Sequence, residues 1–396
     1  MTDSAQANKT MINQSFSSRI LRLAFSGMGA KIGLAWVVIL AFLASFAPLL
    51  ANSMPLIASK NGELVFPILR FLDVSDFFAM SAFIMVMVLW RLSLSLNKKV
   101  LIFLVVVIIA SIAGKVFSSP PKLIVYEEFR EQVENKEFEW MILPPIPYSP
   151  KDYLRDYGDT GLEAPLSETE RTHTMGTDEN GADVASRMIH ASRVALTIGF
   201  IATGISMFLG IIIGGFMGYF SGAVDMLGMR LVEVFEAIPL LILLLTFVAF
   251  FGRNIYMIMV IIGITGWSGY ARYIRAEFLK LRKQDYVQAA VASGLPLRSI
   301  LFRHMLPNGI APLLVAASFG VASAILAEAM LSFLGLGPVD APSWGQMLNQ
   351  SVKSSVFNWW MAVFPGGAIF LTVFAYNLMG EALRDAIDPT VTKREE

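Results

Sequence analysis

The chain has 396 residues, no cysteine, and equal numbers of basic and acidic side chains, 31 of each. Hydrophobic residues make up 55% of it and charged residues only 16%, against about 25% charged in an average soluble domain. This composition excludes an ordinary soluble domain and predicts an all-α integral membrane protein. The absence of cysteine excludes disulfides, thiolate metal ligands and cysteine nucleophiles.

The apolar runs predict about eight transmembrane helices, because a helix needs roughly 18 apolar residues to cross a bilayer. They cover residues 31–50, 77–89, 100–117, 194–219, 237–251, 256–270, 309–331 and 357–379. The second run is the weakest, since it is short for a full crossing. The first run is too long for the apolar part of a signal peptide and lacks a small-residue cleavage site, so we interpret it as a retained span.

The polar segments between these runs predict the domain organisation. We expect a cytoplasmic tail at 1–30, an N-terminal membrane region at 31–117, an extracytoplasmic segment at 118–192, a membrane domain at 193–390 and a cytoplasmic tail at 391–396. Lysine and arginine concentrate in alternate loops, and the positive-inside rule then places both termini in the cytoplasm. The acidic segment 118–192 faces outward, where it either attracts a cationic partner or is a solvated loop.

The polar stretch 272–304 lies between two apolar runs on the predicted cytoplasmic side. Its seven basic residues outnumber its two acidic ones, and they are Arg272, Arg275, Lys280, Arg282, Lys283, Arg298 and Arg303. We expect two short helices here, because Gly294 permits a tight bend after Ser293 and Pro296 suits the start of a helix. Pro307 then leads into the next apolar run.

One face of the first short helix is expected to be a contact surface. The i, i+3, i+4, i+7 spacing of a helix face is followed by Tyr286, Ala289, Ala290 and Ser293. Small residues on that face would let another surface come close. The alternative interpretation is an ordinary basic loop of a membrane protein.

The sequence DYVQAAVASG at 285–294, followed by ILFRHMLPN at 300–308, resembles the cytoplasmic coupling signature of binding-protein-dependent ABC transporter permeases. In that family the signature commonly reads Glu-Ala-Ala, then three residues, then Gly. Gln288 stands here in place of the acid. The departure removes a charge, so contact at this position is expected to depend on shape more than on charge.

Further segments resemble the oligopeptide/dipeptide group of that family, and within it the C-type subunit. They are HTMGTDENGADVASRMIHASRVAL at 173–196, LAEAMLSFLGLG at 326–337, PSWGQML at 342–348 and EALRDAIDPT at 381–390. The usual Gly-Arg-Asp of the first segment is Gly181-Ala182-Asp183 here. Residues 51–72 look more faintly like the variant of the group for modified or antimicrobial peptides, whereas spans two and three have no counterpart in the usual C-type subunit.

The resemblance implies a five-helix type I importer permease core, preceded by additional N-terminal spans, in a bacterial inner membrane. It implies a peptide substrate, a homologous second permease, two ABC ATPase subunits and a periplasmic solute-binding protein as partners, and no nucleic acid. It also implies an ATPase-coupling role for Asp285, Tyr286, Gln288, Ala289, Ala290, Gly294, Pro296, His304 and Pro307.

No G-x-x-x-x-G-K-[ST] phosphate loop occurs in the chain, so we expect a transport subunit and not an enzyme. The resemblance implies that ATP and Mg²⁺ bind to the partner ATPases and that this chain holds no cofactor or metal. His304 is expected to make a structural hydrogen bond or to add charge at a helix end.

Several alternatives stay open. Nickel or a modified or antimicrobial peptide is another substrate for the same kind of permease. An ion-coupled secondary transporter would use acids at membrane depth, such as Glu233, Glu236, Glu328 and Glu381, although we interpret Glu328 as a pore-lining or packing residue. His173 and His190, in an acidic outer segment, are a remote candidate for a metal site, and a membrane scaffold built on that segment is a third function class.

Overall fold

The computed structural model describes residues 24–118, 126–153, 161–167, 172–338 and 341–387. Most of both predicted cytoplasmic tails, and the end of the motif at 381–390, lie outside the described residues. The elements of the first half are α1 (Met28–Ser45), α2 (Ala47–Leu50), β1 (Ile57–Lys60), β2 (Glu63–Val65), α3 (Pro67–Phe71), α4 (Val74–Arg91), α5 (Leu96–Phe117), α6 (Tyr126–Glu134) and β3 (Trp140–Ile142).

The second half is entirely helical in the residues described. Its elements are α7 (Val184–Phe220), α8 (Gly222–Ala237), α9 (Leu240–Phe251), α10 (Ile255–Thr265), α11 (Trp267–Leu281), α12 (Asp285–Ala292), α13 (Leu297–Ser299), a π-helix (Ile300–Met305), α14 (Leu306–Gly309), α15 (Ala311–Phe333), α16 (Trp344–Lys353) and α17 (Trp359–Ile387).

The predicted helical membrane fold is confirmed. Among the described residues, seven helices are long and apolar enough to cross a membrane, α10 and α11 counting as one, and the pair α8 and α9, bent by 81°, makes an eighth candidate. The weakest predicted span is α4, a full helix of 18 residues. It begins earlier than predicted, because Asp73 and Asp76 form a capping box that accommodates polar residues in its first turn.

The prediction that 272–304 is a polar stretch of two short helices, separate from the preceding span, was wrong in its first third. The helix that begins in the apolar run at Ile255 continues past Arg272 to Leu281. Its apolar side chains recur at helical spacing, and Ile274, Phe278 and Leu281 are buried while Arg272 is exposed. Charged residues on the exposed face therefore do not end the helix.

The chain divides into two compact units. The first takes in Thr197–Leu331, together with the described residues up to Val37 and from Ile369 onward. Glycines bring α7 close to α11 within this unit: a Cβ atom at Gly218 would stand 2.6 Å from the Cβ of Phe278, and Gly214 lies against the backbone of Ala271. The glycines of the fourth predicted span thus serve close helix packing.

The second unit takes in the described residues of Val38–Leu196 and Ser332–Ala368. It contains the antiparallel hairpin of α4 and α5. The two helices pack closely at Gly114, because a Cβ atom added to this glycine would collide with the ring of Phe77. Phe83 of α4 packs edge-on against Phe46, with ring centroids 5.8 Å apart. Arg193 of α7 donates to Asp76 and holds the start of the hairpin.

A small antiparallel sheet in the second unit was missed by the sequence prediction. Its strand order is β2-β1-β3, with Ala58 opposite both Val65 and Met141. The third strand comes from the predicted extracytoplasmic segment 118–192. Three strands of three or four residues are too short for alternation to be recognised in the sequence.

Candidate functional site

The predicted coupling segment is a helical hairpin that packs on α11. Gly294 joins its halves with a φ of +69°, a conformation that residues with a Cβ adopt at a cost. Pro296 immediately precedes α13, where its missing N–H leaves no hydrogen bond unmade. The buried core beneath the segment contains Phe278, Val287 and Met305.

The predicted contact face of α12 needs one correction. Ala290 is only 6% exposed and packs in the core beside Val287, so it cannot meet a partner. The exposed residues are Tyr286, Ala289 and Ser293, at i, i+3 and i+7. Alanine suits either a core or a close contact surface, which is why the spacing did not separate the two roles.

Gln288 and Ser293 make short-range hydrogen bonds that stiffen the segment. The Gln288 side-chain Nε2 donates to the carbonyl oxygen of Arg282 at 2.6 Å, and Ser293 Oγ donates to the Ala289 carbonyl at 2.8 Å. Asp285 lies in the first turn of α12, where a carboxylate is favoured by the helix dipole. The residue that departs from the family signature therefore braces α12 against the end of α11.

The second half of the hairpin contains a π-helix that the sequence did not predict. His304 Nδ1 is bonded to the carbonyl oxygen of Ser299 at 2.9 Å, the structural role expected for this histidine. The π-turn buries Ile300 and Met305 while leaving Phe302 46% exposed. Widened helical turns of this kind are frequent at functional sites.

A groove opens on the exposed side of this second half. Its volume is about 540 Å³, and it is lined by Pro296, Arg298, Ser299, Phe302, Arg303 and Pro307. Two predicted coupling residues, Pro296 and Pro307, are thus brought together at one surface. Arg298 and Phe302, both exposed, were not among the predicted coupling residues, because their places in the groove depend on how α13 and the π-helix fold.

The basic residues of the segment fall into two groups. In the first group, Arg275 forms a bidentate pair with Asp225, with 2.7 Å between Nη2 and Oδ2. Arg272 pairs with Glu236. Arg282 donates a hydrogen bond to the Tyr219 carbonyl oxygen at 3.0 Å. The other four basic residues make no ion pair with any residue that the structure describes. They are Lys280, Lys283, Arg298 and Arg303. The basic side chains without an ion pair among the described residues therefore lie on and beside the hairpin.

A cavity of about 320 Å³ lies within the first unit, bounded by α7, α10, α11, α15 and Leu240. The residues that bring hydroxyl groups to its wall are Thr203, Ser206, Thr265, Tyr270, Tyr273 and Ser323. None of its lining residues is charged. Glu328, predicted to line a pore or to pack, is 2% exposed and is not part of this wall, although the neighbouring Ala327 is.

The acids considered for proton coupling are placed differently. Glu233 pairs with Arg230 at 2.6 Å and Glu236 pairs with Arg272, both near the surface.

The two histidines considered for a metal have separate partners. His173 Nδ1 is 2.8 Å from Asp183 Oδ2, and His190 Nε2 is 3.0 Å from the Ala51 carbonyl oxygen. Among the described residues there is no group of three or more side chains that could hold a metal ion.

Helices of this length and polarity, with a basic helical hairpin between two spans, define a multi-span membrane protein. A family model described as the inner membrane component of binding-protein-dependent transport systems matches residues 210–393. The oligopeptide transport system permease protein OppC of Haemophilus influenzae is 38% identical over 221 residues, which are 56% of this chain and 71% of that protein.

A second relative and one solved structure are also similar to parts of this chain. The dipeptide transport system permease protein DppC of Bacillus subtilis is 37% identical over 224 residues, 56% of this chain and 70% of that protein. The solved MetNI methionine ABC transporter, in an inward-facing conformation, has a TM-score of 0.43 and 16% identity over 51% of this chain and 96% of its own. The chain belongs to the family of binding-protein-dependent transport system inner membrane components, whose members are ABC transporter permeases.

Proposed function

We propose that the chain is a transmembrane permease subunit of an ATP-driven peptide importer and forms half of its translocation pathway. The observation that carries the proposal is the helical hairpin at 285–309, which exposes Tyr286 and Ala289 on one face of α12 and Ser293 at its C-terminal end. The oligopeptide and dipeptide permeases among its relatives support the choice of substrate.

Energy is proposed to reach the permease through this hairpin from two ABC ATPase subunits, which bind ATP and Mg²⁺. On the exposed face of α12, Ala289 and Ser293 are small and permit close approach, and Tyr286 adds an aromatic side chain beside them. Arg298 and Arg303 lie next to it without an ion pair among the described residues, so an acidic groove of a partner would complement them. The packing of Val287 and Ala290 onto α11 gives a mechanical connection from α12 to the membrane-spanning helix.

The remaining partners and the location follow from the same proposal. A homologous permease would supply the other half of the pathway, and a periplasmic solute-binding protein would deliver peptide to the outer face. Both termini are placed in the cytoplasm of a bacterial inner-membrane protein, because the basic hairpin must face the ATPases and the acidic segment at 118–192 then lies outside.

The test is transport by the reconstituted importer, consisting of this chain, the second permease, the ATPases and the binding protein in proteoliposomes. We expect uptake of radiolabelled tri-alanine that requires ATP and stops when the ATPases are omitted. Uptake of nickel without uptake of peptide would show that the importer transports nickel and not peptide. Uptake by this chain alone under an ion gradient would contradict the whole proposal.

A further inference from the structure

The wall of the cavity in the first unit is mostly apolar, and none of its lining residues is charged. Glycine and alanine make up much of it, and Phe319 and Tyr273 add aromatic surface. The exposed Ser323 offers a hydroxyl group to a peptide amide, whereas the Ser206 Oγ already donates to the Gly263 carbonyl oxygen at 2.7 Å. The wall offers no counter-charge to an ionised side chain, which would lose its hydration there without compensation. At about 320 Å³ the cavity is at the lower end of the range for small-molecule sites, so it suits a short stretch of a peptide.

One part of this wall is fixed in place by close contacts. The Tyr270 hydroxyl group occupies the space that a Cβ atom would need at Gly320, and the other end of the side chain lies against Gly210. Tyr270 is only 8% exposed. It is thus clamped between two glycines on two different helices and cannot swing away to widen the cavity.

A neighbouring part of the wall is open. Gly269 lines the cavity, and a Cβ atom added there would meet no heavy atom within 4 Å. A larger residue at this position would project into the cavity without disturbing the packing of α11. A side chain at position 269 would therefore reduce the free width of the cavity beside the fixed Tyr270 side chain.

We propose that this cavity holds an uncharged stretch of the peptide during passage, and that Gly269 and the Tyr270–Gly320 contact determine the largest side chain that is admitted. The inference rests on the proposed function and adds a specificity to it. Peptides with small neutral side chains are the preferred class. Peptides with bulky side chains pass only because residue 269 has no side chain.

The test of size uses Gly269→Val in the complete importer, with Gly204→Val as the matched control. Gly204 is an exposed glycine on α7 that also has open space at its Cβ but does not line the cavity. For Gly269→Val we expect tri-alanine uptake within about threefold of wild type and a loss of about tenfold or more for a phenylalanine-containing tripeptide. The control is expected to transport both peptides normally.

A second pair of variants tests charge independently of size. Ser323 is exposed to the cavity, so Ser323→Asp would place a carboxylate there, while Ser323→Asn has nearly the same shape without charge. The ratio of lysine-containing to glutamate-containing peptide uptake should rise by about tenfold in the first variant only. Copurification with the second permease confirms that each variant assembles.

The outcomes separate this inference from the proposed function. If the wild-type importer carries no peptide, the proposed function fails. If it carries peptide, but Gly269→Val lowers the uptake of small and bulky peptides equally and Ser323→Asp leaves the charge ratio unchanged, the cavity is not a specificity site and only this inference is overturned.

Discussion

The side-chain amide of Gln288 donates a 2.6 Å hydrogen bond to the carbonyl oxygen of Arg282 and thereby connects α12 to the end of α11. The family signature commonly has a glutamate at this position, whose ionised carboxylate could not donate this bond. In this chain, residue 288 therefore acts as a structural brace. The braced helix then presents Tyr286, Ala289 and Ser293 outward.

Replacing Gln288 by Glu is expected to lower the free energy of unfolding by about 1 kcal/mol, because a carboxylate would face the Arg282 carbonyl in place of a donor. Thermal unfolding in detergent measures the change, and Gln288→Met, which removes the bond without adding charge, is the control. Since docking is expected to depend on shape, ATP-driven uptake should stay above about half of wild type. A severalfold rise in uptake with Gln288→Glu would show that charge matters at this position.

Gly214→Ala is expected to destabilise the first unit by about 1–3 kcal/mol, because the added methyl group would overlap the backbone of Ala271, which cannot yield as a flexible side chain could. Gly204→Ala on the same helix meets open space and should be neutral or slightly stabilising. Unfolding midpoints of the two variants provide the comparison. Equal midpoints would contradict the close packing of α7 on α11.

Asp76→Ala is expected to release the start of the α4–α5 hairpin. It removes the partner of Arg193 and the N3 residue of a capping box, and the pair is mostly buried, with side-chain exposures of 7% and 23%. The predicted loss is about 2–3 kcal/mol, less than for a fully buried pair because Arg193 reaches solvent. Limited proteolysis within residues 92–95 measures the release. Arg230→Ala, which breaks an exposed pair, should change little.

His173→Ala is expected to loosen the outer segment at the point where it meets α7. Asp183 would lose its bond from His173 at 2.8 Å while its other oxygen still accepts from the Ser186 N–H at 2.7 Å. Leaving a buried carboxylate oxygen without this partner should cost about 2 kcal/mol. The unfolding midpoint is the measurement, and a wild-type midpoint that falls after chelation of divalent metals would point to a metal role for His173 instead.

Much of the fold was predictable, because long apolar runs and the positions of lysine and arginine are properties of the sequence alone. The bend at Gly294 and the helix start after Pro296 were also predictable, since each depends on a backbone property of one residue. The continuation of α11 through Arg272 was not predicted, because the basic composition was taken as evidence that the membrane helix ends there, although the apolar positions kept helical spacing. The burial of Ala290, the π-turn at Ile300–Met305 and the Tyr270–Gly320 contact depend on tertiary packing, and local spacing does not report that.

The central claim is that the exposed face of α12 receives the ATPase. Ala289→Trp places a large side chain on that face, whereas Val291→Trp places the same side chain on an exposed position of the same helix about 160° away. The measurement is copurification of the ATPase with the permease pair, together with ATP-driven tri-alanine uptake. We predict that Ala289→Trp reduces ATPase copurification and peptide uptake at least about tenfold, because the added side chain would block a central contact of the interface. Val291→Trp is expected to stay within about twofold of wild type in both measurements. Normal ATPase binding and uptake by Ala289→Trp would contradict the claim.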